Sequence, residues 1–256
     1  MTSEVTTELT DGVLAVTLSR LDKKNALTNA MYGVLADAVQ RADEDPEVRV
    51  VLIQADGDLF TAGNDLGEFA EQAVGKGPAE LNVLRFLRNL AGATIPIVAA
   101  VQGKAVGVGT TMLLHCDYVV LGEDAQLTTP FVNLALVPEA GSSYLLPLRI
   151  GHVRAFQMFA LGEAVSAENA VAWGIANVAV PIAELRTEAR RVAKALATKP
   201  LGSLKATKQL MRDPQRLLTQ IDAESTVFAE RLKGAEAREA FTAFAQKRQP
   251  DFSKIH

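Results

Sequence analysis

Short runs rich in β-branched and apolar residues recur through the first 180 positions of this 256-residue chain and then cease. They fall at 13–18, 48–54, 96–101, 117–121, 125–128 and 177–180, and each has the length and composition of a buried strand. Helical periodicity separates them at 28–44, where Thr28 stands ready to cap the first turn, and at 81–91. Beyond Val180 the pattern is almost wholly helical, over 183–197, 202–211, 213–232 and 235–246. Strands alternating with helices predict an α/β core, and helices gathered at one end predict a separate layer or a partner interface.

A chain of this length can bury one large core. Its 48% hydrophobic and 22% charged residues leave no room for extensive disorder. A formal net charge of −4 gives no general attraction to nucleic acid or anionic lipid, so neither is expected as a partner, and an anionic ligand must meet a local basic site. The single cysteine, Cys116, has no disulfide or metal-ligand companion and reads as a small buried hydrophobe. Residues 1–11 are polar and carry acids, unlike a signal peptide, and no apolar stretch reaches the roughly 20 residues of a membrane span. The expected setting is cytoplasmic. His115, His152 and His256 show neither triad nor metal spacing, so no metal is expected. Trp173, Phe156, Phe159 and Ala160 read as core or subunit contact. Residues 64–80, with Gly67, Gly75, Gly77 and Pro78 among charges, read as a long loop, either a ligand cover or plain surface.

Two glycine-containing turns follow predicted strands and run toward helices, at 60–66 and 103–110. Backbone N–H groups at such turns lack partners, and two that converge can hold a developing negative oxygen. Neither turn is diagnostic alone: the second lacks the full dinucleotide fingerprint, and no phosphate-loop Gly-Lys-Ser/Thr occurs.

Taken in order, the two turns join other segments: Arg20-Leu21-Asp22-Lys23-Lys24-Asn25-Ala26-Leu27, the run 96–103 leading into the second turn, Cys116-Asp117, Pro138-Glu139-Ala140-Gly141-Ser142-Ser143, and a tail with Lys247-Arg248. Over nearly its whole length the chain resembles the crotonase superfamily, the enoyl-CoA hydratase/isomerase group. The resemblance implies an α/β fold, a crotonase-like spiral of ββα repeats over 1–196 that carries an acyl-CoA site. It also implies a C-terminal helical trimerisation region, 197–256, giving oligomer contacts in a homotrimer or dimer of trimers and covering the active site. The partner would be an acyl-CoA thioester, with no cofactor beyond coenzyme A as part of the substrate. The family's two oxyanion-hole N–H groups map onto Asn64 and Val108. The latter replaces a usual glycine, which alters pocket width more than it removes a backbone donor. Contacts to coenzyme A would come from Lys24, Ala26, Ala62, Asp65 and Leu66, and from Lys247 in the tail.

An enzyme that removes a proton next to a thioester carbonyl needs donors for the enolate oxygen and a nearby base. The two glutamates of family hydratases align here with Thr111 and Phe131, neither of which can do acid–base work. Glu139 instead matches the glutamate of peroxisomal-type 3-enoyl-CoA to 2-enoyl-CoA isomerases, where one carboxylate suffices. Thr111, Phe131 and Leu136 are expected to line the acyl pocket, with Leu134 and Val137 completing an apolar wall that raises the Glu139 pKa. The competing reading of Glu139 is an acid in the first turn of a helix near 143–148. Asp117 reads as a structural hydrogen-bond acceptor, and Glu123, Asp124 and Glu163 as solvated. The resemblance thus implies an enoyl-CoA isomerase. The alternatives are an enoyl-CoA hydratase or other family lyase, and a noncatalytic acyl-CoA-binding protein.

Overall fold

A computed structural model describes residues 4–73, 75–253 and 255, so His256 lies outside the described residues. The chain opens with a hairpin, β1 (Val5–Thr10) and β2 (Val13–Leu18), turned by Asp11 and Gly12 at φ +53° and +76°. Positive φ at both turn positions matches the right-handed twist of the strands. Helix α1 (Asn29–Glu44) follows, and the Thr28 side chain accepts from Met31 N–H as the expected cap. Next come β3 (Val50–Ala55), α2 (Leu66–Ala73), α3 (Asn82–Gly92), β4 (Ile97–Val101) and β5 (Lys104–Val106). The one-turn helix α4 (Val108–Thr111) passes into a 3₁₀ turn at Met112–His115. Then come β6 (Tyr118–Gly122), β7 (Gln126–Thr128), α5 (Ser142–Ile150), α6 (His152–Leu161), β8 (Val165–Ser166), α7 (Ala167–Ala172) and β9 (Val178–Val180). Four helices close the chain: α8 (Leu185–Ala197), α9 (Leu201–Met211), α10 (Pro214–Leu232) and α11 (Ala235–Ala245).

The strands form two sheets, in the orders β1-β2-β3-β4-β6-β9 and β5-β7-β8. From β2 onward the larger sheet is parallel throughout. Two passes along it are each followed by a short strand in the smaller sheet, β4 by β5 and β6 by β7, so the chain steps outward to a second layer as it advances. Both faces of the larger sheet are covered. Val51, Ile53, Ile97, Ala99, Val119 and Leu121 join the main core, while Val50, Leu52, Val98, Ala100 and Val120 pack under Leu185, Ala189 and Val192 of α8. Burial on both sides explains why β3, β4 and β6 read as unbroken apolar runs.

Residues 64–80 are not structureless. The Asp65 carboxylate accepts from Gly67 N–H at 2.9 Å and Glu68 N–H at 3.2 Å, capping α2 in the middle of the stretch. Phe69 then packs against the rings of Phe228 and Phe241. Glycines and charges masked this helix, which is anchored by residues from the far end of the chain.

The C-terminal helices are tied down by buried polar contacts. Lys208 of α9 is almost fully buried, donating to Ile95 O and to Asp117 Oδ2, both at 2.7 Å, while Asp117 Oδ2 also accepts from Ile97 N–H at 2.8 Å. Asp117 is structural, as expected. Lys208→Met leaves the Ile95 carbonyl and the Asp117 carboxylate without their cation. It should lower unfolding free energy by about 2–3 kcal/mol, below the full value for a broken buried pair because Asp117 is partly solvated. Urea unfolding measures this, and a loss under about 0.5 kcal/mol, the scale of an ordinary surface substitution, would show that the tie is incidental.

Candidate active site

Two segments leaving the same edge of the larger sheet are stitched together by main-chain hydrogen bonds. Phe60 N–H donates to Gln102 O at 2.9 Å, Thr61 N–H to Lys104 O at 3.1 Å and Val106 N–H to Thr61 O at 3.1 Å. Their approach needs glycine: a Cβ on Gly63, whose φ is +90°, would lie 2.9 Å from Val106 O, and one on Gly109 would lie 2.4 Å from Thr61 Cγ2. The 20–27 segment braces the first turn from the other side. Leu27 N–H donates to Gly63 O at 2.8 Å, and Asp65 N–H donates to Leu27 O at 3.0 Å. In this parallel bridge Leu27 flanks Asn64, so the N–H of Asn64 points away from it. That N–H and the N–H of Val108, first residue of α4, make no hydrogen bond within the described residues. Two unspent donors therefore stand on adjoining turns.

Glu139 lies beyond α4, just ahead of α5, and only 7% of it is exposed. It is not in the first turn of that helix, which begins at Ser142 after Gly141. Its Oε1 accepts from Thr111 Oγ1 at 2.5 Å. Burial pushes the carboxyl up to about 7, the Thr111 hydrogen bond opposes this by favouring the anion, and the nearby Glu224 carboxylate adds to the rise. A carboxyl that titrates near neutrality can both take and return a proton.

Asn64 and Glu139 open into one cavity of about 410 Å³. Its walls come from α2, α3 and α10, chiefly Phe69, Leu81, Leu84, Leu87, Phe228 and Leu232. Glu139 is the only carboxylate among its described lining residues, and Lys233 the only cation. A side pocket of about 30 Å³ includes Tyr32, Asp65 and Glu68. Those two carboxylates are engaged, Asp65 with Arg20 at 2.7 Å and Glu68 with Asn29 N–H at 2.7 Å. The buried Tyr32 hydroxyl donates to Asn64 Oδ1, and its pKa is raised by burial and then by Glu139 and Glu68.

The expected acyl-pocket residues sit elsewhere. Thr111, Phe131 and Leu136 are buried and are not among the residues that line the cavity, with Phe131 packed 6.1 Å from the Phe159 ring. The wall that faces the cavity comes instead from helices distant in sequence. Val108 is likewise buried and is not among the residues that line the cavity. Of the expected coenzyme A contacts, Lys24 and Ala62 share a groove of about 470 Å³ with Lys104 and Gln126, and Ala62 N–H donates to Lys24 O at 3.0 Å. Ala26 lends its carbonyl to Arg20, and the half-buried Leu66 opens α2. The Asp65 carboxylate is committed to Arg20 and to the α2 cap, so it acts here as a brace. Lys247 is exposed past the end of α11 and lines neither space.

No histidine is among the described residues that line the cavity. His115 is buried and held neutral, its pKa lowered to about 3 chiefly by burial and then by Arg212. Burial also pushes the Cys116 thiol up to about 12, which makes it inert. No three His, Cys, Asp or Glu side chains among the described residues gather as a metal site. No helix among them is long and apolar enough to cross a membrane.

Tyr32 and Glu224 went unnoticed in the sequence. Each lies on the buried stripe of a helix, Tyr32 beside Met31 and Leu35, and Glu224 between Ile221 and Phe228. An acid placed on an apolar stripe was the available signal.

Comparison with known proteins agrees with this geometry. A family model described as enoyl-CoA hydratase/isomerase matches residues 8–254. The 1,2-epoxyphenylacetyl-CoA isomerase of Escherichia coli strain K12 is 34% identical, covering 94% of this chain and 95% of that protein. The 2,3-dehydroadipyl-CoA hydratase of the same organism is 32% identical, covering 98% of each. The crystal structure of an enoyl-CoA hydratase/isomerase from Pseudoalteromonas atlantica T6c superposes with a TM-score of 0.93 at 38% identity, covering 98% of this chain and all of that one.

Two outcomes follow from the buried carboxyl. Because the folded-state pKa of Glu139 lies above its unfolded value of 4.5, folding binds its proton more tightly. The stability this gives is full below about pH 4.5 and is lost as pH rises through about 7. Glu139→Gln, which never ionises, should exceed the parent in unfolding free energy at pH 8 by about 2–3 kcal/mol, with the gap closing toward pH 4.5. Identical pH dependence of the two proteins in urea unfolding would refute the shift. Thr111→Val removes the bond that favours the anion and should move the Glu139 titration upward, read by carbon NMR of the labelled carboxyl. A downward or absent movement would contradict the assigned cause.

Proposed function

The chain belongs to the enoyl-CoA hydratase/isomerase family, and from that premise we propose that it moves the double bond of a 3-enoyl-CoA to the 2-position, with Glu139 as its single acid and base. The observation that carries this reading is that Glu139 is the one carboxylate among the described residues lining the cavity. Reaction varies widely on one fold, and the names of the two Escherichia coli relatives divide between isomerase and hydratase, so the site must decide.

In this mechanism the thioester oxygen sits against the N–H groups of Asn64 and Val108. Glu139 takes a proton from C2, and charge spreads over a dienolate whose oxygen the two N–H groups stabilise. The same carboxyl then returns the proton at C4. The C2–H bond breaks, a C4–H bond forms, and the double bond moves from C3–C4 to C2–C3. Hydration by two carboxylates would need a second titratable partner in the cavity. The carboxylates of the adjoining side pocket, Asp65 and Glu68, are occupied by Arg20 and by a helix N–H. The mostly apolar lining suits an acyl chain.

Coenzyme A would lie along the Lys24–Ala62 groove, near Ala26 and Leu66, where Lys104 adds positive charge. Lys247 would reach it only from the tail. Assembly as a homotrimer or dimer of trimers would cover the apolar side chains exposed at Leu148, Val153, Phe156, Leu210 and Met211.

Turnover of a medium-chain 3-enoyl-CoA, followed by absorbance of the conjugated product, is to be run beside hydration of a 2-enoyl-CoA. Isomerisation should dominate, and Glu139→Gln should reduce it by roughly 10²–10⁴-fold, the usual size of a general acid–base contribution. Hydration that is faster than isomerisation and indifferent to the substitution would overturn the proposal. Tight binding of acyl-CoA with no turnover of either substrate would point to a noncatalytic binding protein.

A further inference from the structure

The backbone immediately after Glu139 is in an unusual state. Ala140 has φ +64° and Gly141 φ +69°, two consecutive left-handed residues, of which only the glycine adopts that conformation without strain. The peptide group that joins them is bonded at both ends by buried side chains. Its carbonyl, Ala140 O, lies 2.7 Å from His115 Nε2, and its N–H, on Gly141, lies 2.6 Å from Glu224 Oε2. The other nitrogen of His115 lies 2.9 Å from Arg212 Nη2. A guanidinium can only donate, so Nδ1 accepts, Nε2 carries the imidazole proton and donates to Ala140 O. Glu224 accepts in addition from Ser143 N–H at 2.9 Å and from Ser143 Oγ, to which Gln220 donates at 2.9 Å.

We infer that His115 and Glu224 are positioning residues that fix the Ala140–Gly141 peptide plane and thereby set where the Glu139 carboxylate points. The inference rests on the reading of Glu139 as the base. Neither residue lines the cavity, so neither touches substrate. Both are held by the C-terminal part of the chain, Glu224 on α10 and His115 through Arg212 at the end of α9. Rotation of this peptide would release the left-handed pair and carry the preceding carboxylate away from Thr111. A single carboxyl that must reach two carbons of one substrate tolerates little such movement, since misplacement of about 1 Å can cost a hundredfold in rate.

The clamp also adds charge to the site, because Glu224 is the carboxylate coupled to Glu139. Charged groups on the elements packed against α10 have partners other than Glu224: Arg88 of α3 pairs with Asp222 and Glu236 of α11 with Arg231, both on α10, and Arg149 of α5 donates to Leu114 O. Tyr144 of α5 lies beneath Arg216. From α1, Tyr32 faces Glu139.

The test compares Glu224→Gln, His115→Leu and His115→Gln with the parent in the same isomerisation assay and in amide hydrogen exchange. Glu224→Gln keeps the shape but turns an NH₂ toward a backbone donor. It should lower kcat by about 10–100-fold with KM within about twofold, move the acidic limb of kcat to lower pH as the like charge disappears, and speed exchange of the Gly141 and Ser143 amides. His115→Gln retains a donor for Ala140 O and should recover most of the activity that His115→Leu loses. The inference is overturned if Glu224→Gln leaves the acidic limb and the Gly141 amide protection unchanged, or if His115→Gln is no better than His115→Leu. Glu139→Gln run in parallel separates the two readings: if it stays active the base assignment fails, while amide exchange still reports on the clamp. Should Glu224→Gln fail to fold, Ser143→Ala and Arg212→Gln loosen the clamp from its edge. They should give smaller changes of the same sign, and unchanged Gly141 exchange in both would equally overturn it.

Discussion

The parallel stacking of β3 on β4 and β4 on β6 is the constraint on which the rest of the molecule hangs. Parallel strands deliver their carboxyl ends to one edge of the sheet, and ligands on such sheets bind outside that edge. Here the edge is extended by the hydrogen bonds of Thr61 with Lys104 and Val106, which bring two turns so close that Gly63 and Gly109 leave no space for a side chain. The N–H of Asn64, turned away from Leu27 in their bridge, and the N–H of Val108, at the start of α4, complete no ladder and stay unspent among the described residues. The sheet register thereby creates paired donors without any polar side chain.

Around those donors the molecule opposes two costs. Burying Glu139 disfavours its charge, and the raised pKa is the consequence; one short bond from Thr111 keeps the anion within reach near neutral pH. Were Glu139 solvated it would be ionised at any physiological pH and a weak base. Were it buried without Thr111 its pKa would rise further. The left-handed Ala140 adds strain at the same place, and strained backbone persists only where surrounding contacts over-determine it. Two buried bonds to one peptide group provide that over-determination.

Much of this was legible in the residues. The strands buried on both faces announced themselves as apolar runs, Thr28 marked a helix start, and Glu139 stood out because Thr111 and Phe131 vacate the positions where family hydratases carry acids. What stayed hidden depended on distant partners. Strand β1 is an edge strand with mostly exposed side chains, so its composition carried little signal, although Asp11-Gly12 is a strong hairpin turn. Helix α2 is held by Asp65 and by rings from Phe228 and Phe241, which no local window contains. The cavity wall was hidden for the same reason, since α3 and α10, distant in sequence from Glu139, supply it.

Helix α10 shows how such distant elements become part of the site. One side carries Ser225, Phe228 and Leu232 into the cavity. Another carries Leu217, Ile221 and Glu224 against the turn that follows Glu139, where a Cβ on Gly141 would lie 3.6 Å from Ile221 Cγ1. A helix is stiff over this length, and packed interiors transmit displacement instead of absorbing it. The helix that lines the cavity is also the one whose Glu224 bonds the Gly141 and Ser143 N–H groups after Glu139. The cavity wall and the turn that follows Glu139 are thus tied to one helix, whose Glu224 lies 83 positions from Gly141 and 85 from Glu139.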